Sequence, residues 1–132
     1  MTEDKTGRCL CGAVTITVTG KLGPVSYCHC TQCRRQTGLY YATTDAVLSE
    51  VEISGRDRIG AFRVSPGAER AFCRDCGSPL YWKADGEQRM SLMAGLFPNP
   101  TGLTGGYHIY CADKGDFYEI NDGLPQYPAG SS

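Results

Sequence analysis

The sequence has no excess of either charge and no long apolar run. Its 132 residues carry 13 Lys and Arg against 14 Asp and Glu, a formal net charge of −1. Proteins bind phosphate backbones and anionic lipid through a clear cationic excess, so this balance argues against a nucleic-acid or membrane partner. No apolar stretch approaches the roughly 20 residues that a membrane-spanning helix needs.

The opening segment lacks the apolar core of a secretory signal. Residues 1–8 read Met-Thr-Glu-Asp-Lys-Thr-Gly-Arg, which is polar throughout. We therefore expect a cytoplasmic protein in a reducing compartment. The length fits a single domain, since folded domains cluster at about 100–150 residues. We expect its ends, about 1–6 and 128–132, to be flexible.

Helical periodicity is scarce, and 17 glycines and seven prolines indicate many turns. Short runs of alternating, β-branched or aromatic residues predict strands instead. These runs are 13–18, 25–28, 39–43, 59–64, 79–83, 90–94 and 107–110. One helical turn is predicted after Cys33, ending at Gly38, and 96–106 is predicted to be a long loop. The predicted fold class is mainly β, built of short strands.

Eight cysteines in a reducing compartment need an explanation. Their even number is compatible with a disulfide framework. Cys9 and Cys11, like Cys28 and Cys30, are two positions apart, a spacing that strains a disulfide but suits two thiolates on one metal. Because cytosolic cysteine clusters more often bind metal or do catalysis, we favour metal binding.

Two cysteine pairs have the form of zinc knuckles. Cys9 and Cys11 form one pair and Cys73 and Cys76 the other, and in each pair a glycine after the second cysteine permits the tight turn. Together the four thiolates would complete a tetrahedral zinc site with no open position, which stabilises the fold without doing chemistry. The alternative is four ordinary buried cysteines with coincidental spacing.

The third cluster, Cys28, Cys30 and Cys33, offers three thiolates within six residues. They can cap one face of a zinc ion and leave the fourth position to water or substrate, as in catalytic zinc sites. Three thiolates on a divalent ion leave a net charge of about −1, a poor Lewis acid for carbonyls. Such a centre suits an incoming thiol held as a thiolate, so we predict thiol chemistry rather than hydrolysis.

A fourth protein ligand could close this third site. His29 lies inside the motif, but its side chain is expected to point away from the metal. His108 lies on a predicted strand, where a hydrogen-bonded structural role is common, and Cys111 belongs to no pair. None of the three has a local ligand motif, so an open site is preferred.

Two arginines follow the third cluster directly. Arg34 and Arg35 could bind a carboxylate-bearing substrate near the metal, or they could be a solvated pair. Arg70 and Arg74 flank the second knuckle and could offset its thiolate charge.

The motifs, taken in order, resemble those of a known family. They are Gly-Arg-Cys-Leu-Cys-Gly-Ala-Val near the start, then Cys-His-Cys-Thr-Gln-Cys-Arg-Arg-Gln-Thr-Gly, then Phe72-Cys-Arg-Asp-Cys-Gly-Ser-Pro-Leu80. Met93-Ala-Gly-Leu96, Tyr-His-Ile-Tyr at 107–110 and the segment 118–125 continue the match. The sequence is similar over nearly its whole length to the glutathione-dependent formaldehyde-activating enzyme family, which includes the centromere-protein-V type domains.

This resemblance implies a fold, a metal content and an activity. The fold would be a β-tent, a twisted β-sandwich of short antiparallel strands stapled by zinc knuckles. The implied structural zinc ligands are Cys9, Cys11, Cys73 and Cys76, and the implied catalytic zinc ligands are Cys28, Cys30 and Cys33. The implied activity is that of a carbon–sulfur lyase that reversibly joins glutathione and formaldehyde as S-(hydroxymethyl)glutathione. The expected partners are therefore a small thiol and an aldehyde.

Two other functions remain alternatives. In a binding module both zinc ions would be structural, and the surface would show a basic or apolar tract for a partner. A redox or metal sensor would use loss of zinc from the three-cysteine site as its signal. The sequence favours no particular oligomeric state.

Overall fold

The computed structural model describes residues 4–130. Its ten strands are β1 (Lys5–Arg8), β2 (Thr15–Val18), β3 (Val25–Cys28), β4 (Tyr41–Val47), β5 (Val51–Ser54), β6 (Ile59–Phe62), β7 (Ala68–Cys73), β8 (Pro79–Ala84), β9 (Arg89–Met93) and β10 (Gly105–Ile109). One α-helix, α1 (Thr31–Thr37), follows β3, and short 3-10 turns span Leu48–Glu50, Arg56–Arg58, Ala94–Leu96 and Cys111–Asp113. The predicted mainly β class is confirmed.

The strands form two sheets. The smaller has the order β1-β2-β5, and the larger has the order β10-β3-β4-β9-β8-β7-β6. All pairs are antiparallel except β10 with β3, which is parallel. The expectation of antiparallel strands is therefore wrong at this edge. Two strands separated by the long chain segment 29–104 are free to run in the same direction, which a short hairpin connection would forbid.

The apolar core lies between the sheets. On β2 the alternation of threonine and apolar residues turns Ile16 and Val18 inward, and both are fully buried. Leu80 and Leu92 of the large sheet belong to the same buried cluster. Trp82, next in sequence to a core residue, points to the other face of the large sheet, as the period of two requires. That second face is left available to build a site.

Helix α1 begins two residues before Cys33, earlier than predicted. Cys30 is its N-cap, and its sulfur accepts a hydrogen bond from the Cys33 backbone N–H at 3.3 Å. Gly38, with φ of 89°, ends the helix by donating to the Arg34 carbonyl at 2.8 Å. The start was missed because cysteine is not among the usual capping residues.

The flexibility expected of the two ends stays a prediction. Residues 1–3 and 131–132 lie outside the described part of the chain. Lys5 and Thr6 belong to β1, where they pair with Val18 and Thr17. Within residues 4–130, no helix has the length and apolar character needed to cross a lipid bilayer.

Candidate functional site

The first cysteine group, which we call the quartet, joins the start of the chain to its middle. The sulfur atoms of Cys9, Cys11, Cys73 and Cys76 all lie within 4.8 Å of one another. The Cys9 and Cys11 sulfurs are 3.7 Å apart, and those of Cys11 and Cys73 are 3.8 Å apart. Cys9 follows β1 and Cys73 ends β7, so the two sheets meet here. The group could hold a metal ion.

The backbone of both turns is shaped for sulfur ligands. Gly12 and Gly77 have φ values of 82° and 80°, a region that strains other residues. Gly12 N–H donates to the Cys9 carbonyl at 3.1 Å, and Gly77 N–H donates to the Cys73 carbonyl at 2.8 Å. The curl lets Val14 N–H donate to the Cys9 sulfur at 3.4 Å. These are the features of the predicted knuckles.

Ser78 connects the two turns, a role that the sequence analysis missed. Its Oγ accepts a hydrogen bond from Leu10 N–H at 3.0 Å and lies 3.2 Å from the Cys76 sulfur. Hydrogen bonding by the Ser78 hydroxyl and backbone lowers the pKa of Cys76 to about 5, which favours the thiolate that a metal needs. The serine directly after the second knuckle's glycine was the available signal.

The second group, which we call the trio, consists of Cys28, Cys30 and Cys33. Their sulfurs also lie within 4.8 Å of one another, and no His, Asp, Glu or further Cys of residues 4–130 completes the group. Cys33 is buried, whereas Cys28 and Cys30 are half-buried. Hydrogen bonds from the Cys28 and Cys33 thiols lower the pKa of Cys30 to about 2. The trio could therefore bind a metal ion on one side and leave the other side open.

A cleft of about 610 Å³ opens over the trio, on the face of the large sheet that turns away from the core. Strand residues supply its walls: Ser26 from β3, Tyr41 and Thr43 from β4, Ser91 from β9 and Trp82 from β8. This volume lies within the range of small-molecule sites. A metal held by the trio would face a space large enough for a substrate.

Arg70 lies against the trio rather than the quartet. Its guanidinium is buried and donates to the Cys33 sulfur at 3.4 Å. It also donates to the side-chain oxygens of Gln36 at 3.1 Å and Gln32 at 3.2 Å, which fix its orientation. Burial alone would lower the pKa of Arg70, but the hydrogen bond to the Cys33 sulfur and the nearby charges of Cys33, Tyr41 and Cys30 together outweigh it, and the pKa is raised. The sequence suggested that Arg70 offsets charge at the second knuckle, whereas in the structure Arg70, on β7, contacts Cys33 of the trio.

Arg34 and Arg35 do not line the cleft over the trio. Arg34 lies beside Gly115, and its buried Nε has no hydrogen-bond partner within the described chain. Arg35 is exposed and lines a second, neighbouring cavity. Their binding of a substrate carboxylate stays a prediction.

The three candidates for a fourth ligand lie elsewhere. His29 is fully buried, with Nε2 2.8 Å from His108 Nδ1 and with Nδ1 hydrogen-bonded to the Tyr118 hydroxyl. His108 Nε2 lies 2.8 Å from an Asp122 carboxylate oxygen. Burial, followed by the proximity of His108, lowers the pKa of His29 to about 4. Cys111 starts a 3-10 turn and belongs to neither cysteine group.

The fold and the two cysteine groups define a small two-sheet β protein with two candidate metal centres. The sequence profile of the family described as "Glutathione-dependent formaldehyde-activating enzyme" matches residues 4–113, which is most of the chain. The chain belongs to this family, as its motifs predicted.

Two individual proteins are similar over most of their length. A Schizosaccharomyces pombe protein named "uncharacterized lyase" is 28% identical over 115 residues, which cover 86% of this chain and 83% of that protein. The crystal structure of a Rhodobacter sphaeroides protein is 20% identical, with a TM-score of 0.62 over 92% of this chain and 98% of that one. The second likeness shows that the fold is shared.

Proposed function

We propose that this protein is a zinc-dependent carbon–sulfur lyase-type enzyme that acts on thiol–aldehyde adducts. S-(hydroxymethyl)glutathione, formed from glutathione and formaldehyde, is the first substrate to test. Family membership and the lyase name of the yeast relative support the class. The observation that carries the proposal is the trio at a cleft, with no fourth protein ligand in residues 4–130.

The choice of zinc rests on the donor atoms and their spacing. Zinc–sulfur bonds are about 2.3 Å long, so the edge of a regular ZnS₄ tetrahedron is about 3.8 Å. Two sulfur pairs of the quartet, at 3.7 and 3.8 Å, fit that edge. All-thiolate sites select soft or borderline ions, of which zinc is the common one. In this proposal the quartet holds a structural ion and the trio holds a catalytic one.

The reaction needs one bond change and one proton transfer. The thiol sulfur bonds to the aldehyde carbon, and the thiol proton ends on the former carbonyl oxygen; the reverse reaction breaks the same carbon–sulfur bond. Zinc bound by the trio would supply a site that holds the incoming thiol as a thiolate. Cys28, Cys30 and Cys33 would therefore be the residues that hold the reacting group, through the metal.

Arg70 acts as a positioning residue in this proposal. Its cation next to Cys33 offsets the negative charge that accumulates when a substrate thiolate joins three cysteine thiolates. Gln32 and Gln36 hold the guanidinium in place without neutralising it. Ser26 and Thr43, whose hydroxyl oxygens are 3.3 Å apart, offer hydrogen bonds to the adduct oxygen from the wall of the cleft.

The proposal is tested by zinc content and by adduct exchange measured on the same samples. We expect two zinc ions per wild-type chain and accelerated glutathione–formaldehyde exchange in NMR exchange spectra. Cys28→Ser should retain one zinc ion and lose the acceleration. Cys111→Ser is the matched control, since Cys111 belongs to neither cysteine group, and it should retain both zinc ions and the full rate.

Two results would contradict parts of the proposal. If the wild type holds two zinc ions and exchange is not accelerated, glutathione and formaldehyde are the wrong pair. If Cys28→Ser retains both ions, the trio is not a zinc site. Reversible release of zinc by a mild oxidant, together with no lyase activity on any adduct, would favour the sensor.

A further inference from the structure

A second cavity of about 510 Å³ adjoins the cleft over the trio. The two cavities share Thr31, Gln32 and Arg70 in their walls. Helix α1 forms one side of the second cavity, and the β6–β7 hairpin forms the other. The two cavities therefore meet at Arg70.

The strand register explains why the two cavities adjoin each other. Arg70 of β7 is directly opposite Phe62 on β6 and Trp82 on β8. Side chains opposite each other in a sheet point to the same face. Trp82 lines the trio cleft, Phe62 lines the second cavity and Arg70 lines both. These three side chains form one row across the face of the sheet.

The second cavity differs in chemistry from the first. Phe62, Val64 and Phe72 give it an apolar wall, and the first two are 62% and 49% exposed. No cysteine lines it. An exposed phenylalanine alone needs no explanation, but three adjoining apolar side chains around a concavity are typical of a binding site.

Two arginines line this cavity, and one of them, Arg70, is already hydrogen-bonded to the Cys33 sulfur. Thr31 and Arg35, and likewise Gln32 and Gln36, are four positions apart and so lie on one side of α1, where all four line the cavity. Arg35 makes no ion pair with any residue of the described range. Its guanidinium is therefore available to a ligand's carboxylate, which Arg binds with paired hydrogen bonds.

We propose that the second cavity binds a hydrocarbon group of a substrate, and that the same substrate carries a carboxylate. Phe62 and Val64 would pack against the hydrocarbon, and Arg35 would bind the carboxylate. The inference rests on the proposed function, because the sulfur or aldehyde carbon of the same molecule would lie over the trio. It narrows the substrate class to adducts with an apolar substituent. That substituent comes either from the thiol or from the aldehyde.

A ligand without reactive groups tests the cavity separately from the reaction. 4-Phenylbutanoate has an aromatic group and a carboxylate, and its binding can be followed by isothermal titration and by saturation-transfer NMR. We expect Phe62→Ser and Arg35→Gln each to weaken binding at least tenfold. Phe117→Ser and Arg89→Gln are the matched controls, since both residues are exposed and line neither cavity, and both should bind as the wild type does. Equal binding by wild type and Phe62→Ser would overturn the proposal.

Two substrate series then identify the source of the hydrocarbon group. One pairs glutathione with formaldehyde, butanal or phenylacetaldehyde, and the other pairs formaldehyde with glutathione or 2-mercapto-3-phenylpropanoate. We expect kcat/KM to rise at least tenfold with the apolar substituent in one series and the rise to disappear in Phe62→Ser. If glutathione–formaldehyde exchange is catalysed and neither series shows the rise, the proposed function stands and this inference fails.

The remaining outcomes also separate the two ideas. Binding of 4-phenylbutanoate that depends on Phe62, in a protein that catalyses no exchange, would support the cavity and reject the reaction. Sedimentation shows whether the apolar wall serves self-association instead. A dimer that Phe62→Ser converts to monomer, with ligand binding unchanged, would overturn the inference.

Discussion

His29 Nε2 lies 2.8 Å from His108 Nδ1, and this contact joins the loop of the trio to the last strand of the large sheet. His29 lies between two cysteines of the trio, and His108 lies on β10. Tyr118 and Asp122 hydrogen-bond to the outer nitrogens of the two rings. The segment after β10 therefore supports the trio's loop through Tyr118 and Asp122, neither of which lines the cleft.

Tyr118→Phe should destabilise the fold. The substitution leaves the buried His29 Nδ1 without its partner, and an unsatisfied buried polar group costs about 1–3 kcal/mol. Urea unfolding measures the loss. Tyr110→Phe is the control, since Tyr110 is 39% exposed and its hydroxyl makes no hydrogen bond within residues 4–130. Equal effects of the two substitutions would contradict the contact.

Tyr41→Phe should stabilise the fold, which is the opposite of the effect expected for Tyr118→Phe. The Tyr41 hydroxyl is buried, finds no hydrogen-bond partner within residues 4–130, and has its pKa raised by burial. Removing a hydroxyl that is buried without a partner is expected to raise the free energy of unfolding by about 1 kcal/mol. The same urea measurement checks it. A loss comparable to that of Tyr118→Phe would mean that the hydroxyl is satisfied.

Arg70→Lys should weaken metal binding at the trio alone. Lysine keeps the charge but lacks the planar fork that reaches Cys33, Gln32 and Gln36 together. Loss of a group that supports metal ligands typically costs 10–100-fold in affinity. Titration of the metal-free protein with cobalt separates the two sites by their thiolate absorption. Arg74→Lys, an exposed arginine beside the quartet, should leave both affinities unchanged.

Gly77→Ala should destabilise through backbone strain alone. An added Cβ meets nothing within 4 Å, but the φ of 80° strains any residue with a Cβ by about 1–2 kcal/mol. Gly95→Ala is the matched control, because that position also has open space and has no positive φ. Thermal unfolding of both variants with zinc present is the measurement, and equal midpoints would show that the turn at Gly77 relaxes.

Cys73→Ala should reduce the stability of the fold, whereas Cys30→Ala should reduce only the zinc content. The quartet joins the two sheets, so if it holds the structural ion proposed above, Cys73→Ala should lower the unfolding midpoint steeply, and a chelator should prevent folding of the wild type. Cys30→Ala should lose one zinc ion per chain and keep its circular dichroism. Zinc analysis and thermal melts on the same preparations check both. A Cys73→Ala protein that is as stable as Cys30→Ala would contradict a structural role for the quartet.

The sequence predicted those strands and cysteine groups whose pattern lies within a short stretch of the chain. The alternation over 13–18 predicted β2, which spans Thr15–Val18, and the cysteine spacing grouped the same cysteines that the structure brings together. Strands β1, β5 and β7 were missed. β1 reads Lys-Thr-Gly-Arg, and its Gly7 is required because the Leu96 carbonyl oxygen would lie 2.9 Å from an added Cβ. A close approach of two backbones leaves no trace in the period of either segment.

The partners of the site could not be predicted because they come from distant segments. Arg70 reaches Cys33 across 37 positions, and Tyr118 reaches His29 across 89. Both contacts depend on the order of strands in the large sheet, which alternation within one strand does not encode. The sequence pointed instead to Arg34 and Arg35, which directly follow the trio, but neither residue lines the cleft.

Cys11 and Cys73 contact each other across 62 positions, and the trio, α1 and the five strands β2 to β6 lie between them. An ion bound by the quartet would close this stretch of chain into a ring. Metal binding would then offset the entropy lost when the two ends of the stretch come together. During translation, the first two quartet ligands leave the ribosome long before the last two. Strands β8 and β9, which supply further walls of the cleft, follow Cys76 in the chain, so an ion in the quartet would fasten the first part of the cleft before its last strands join the sheet.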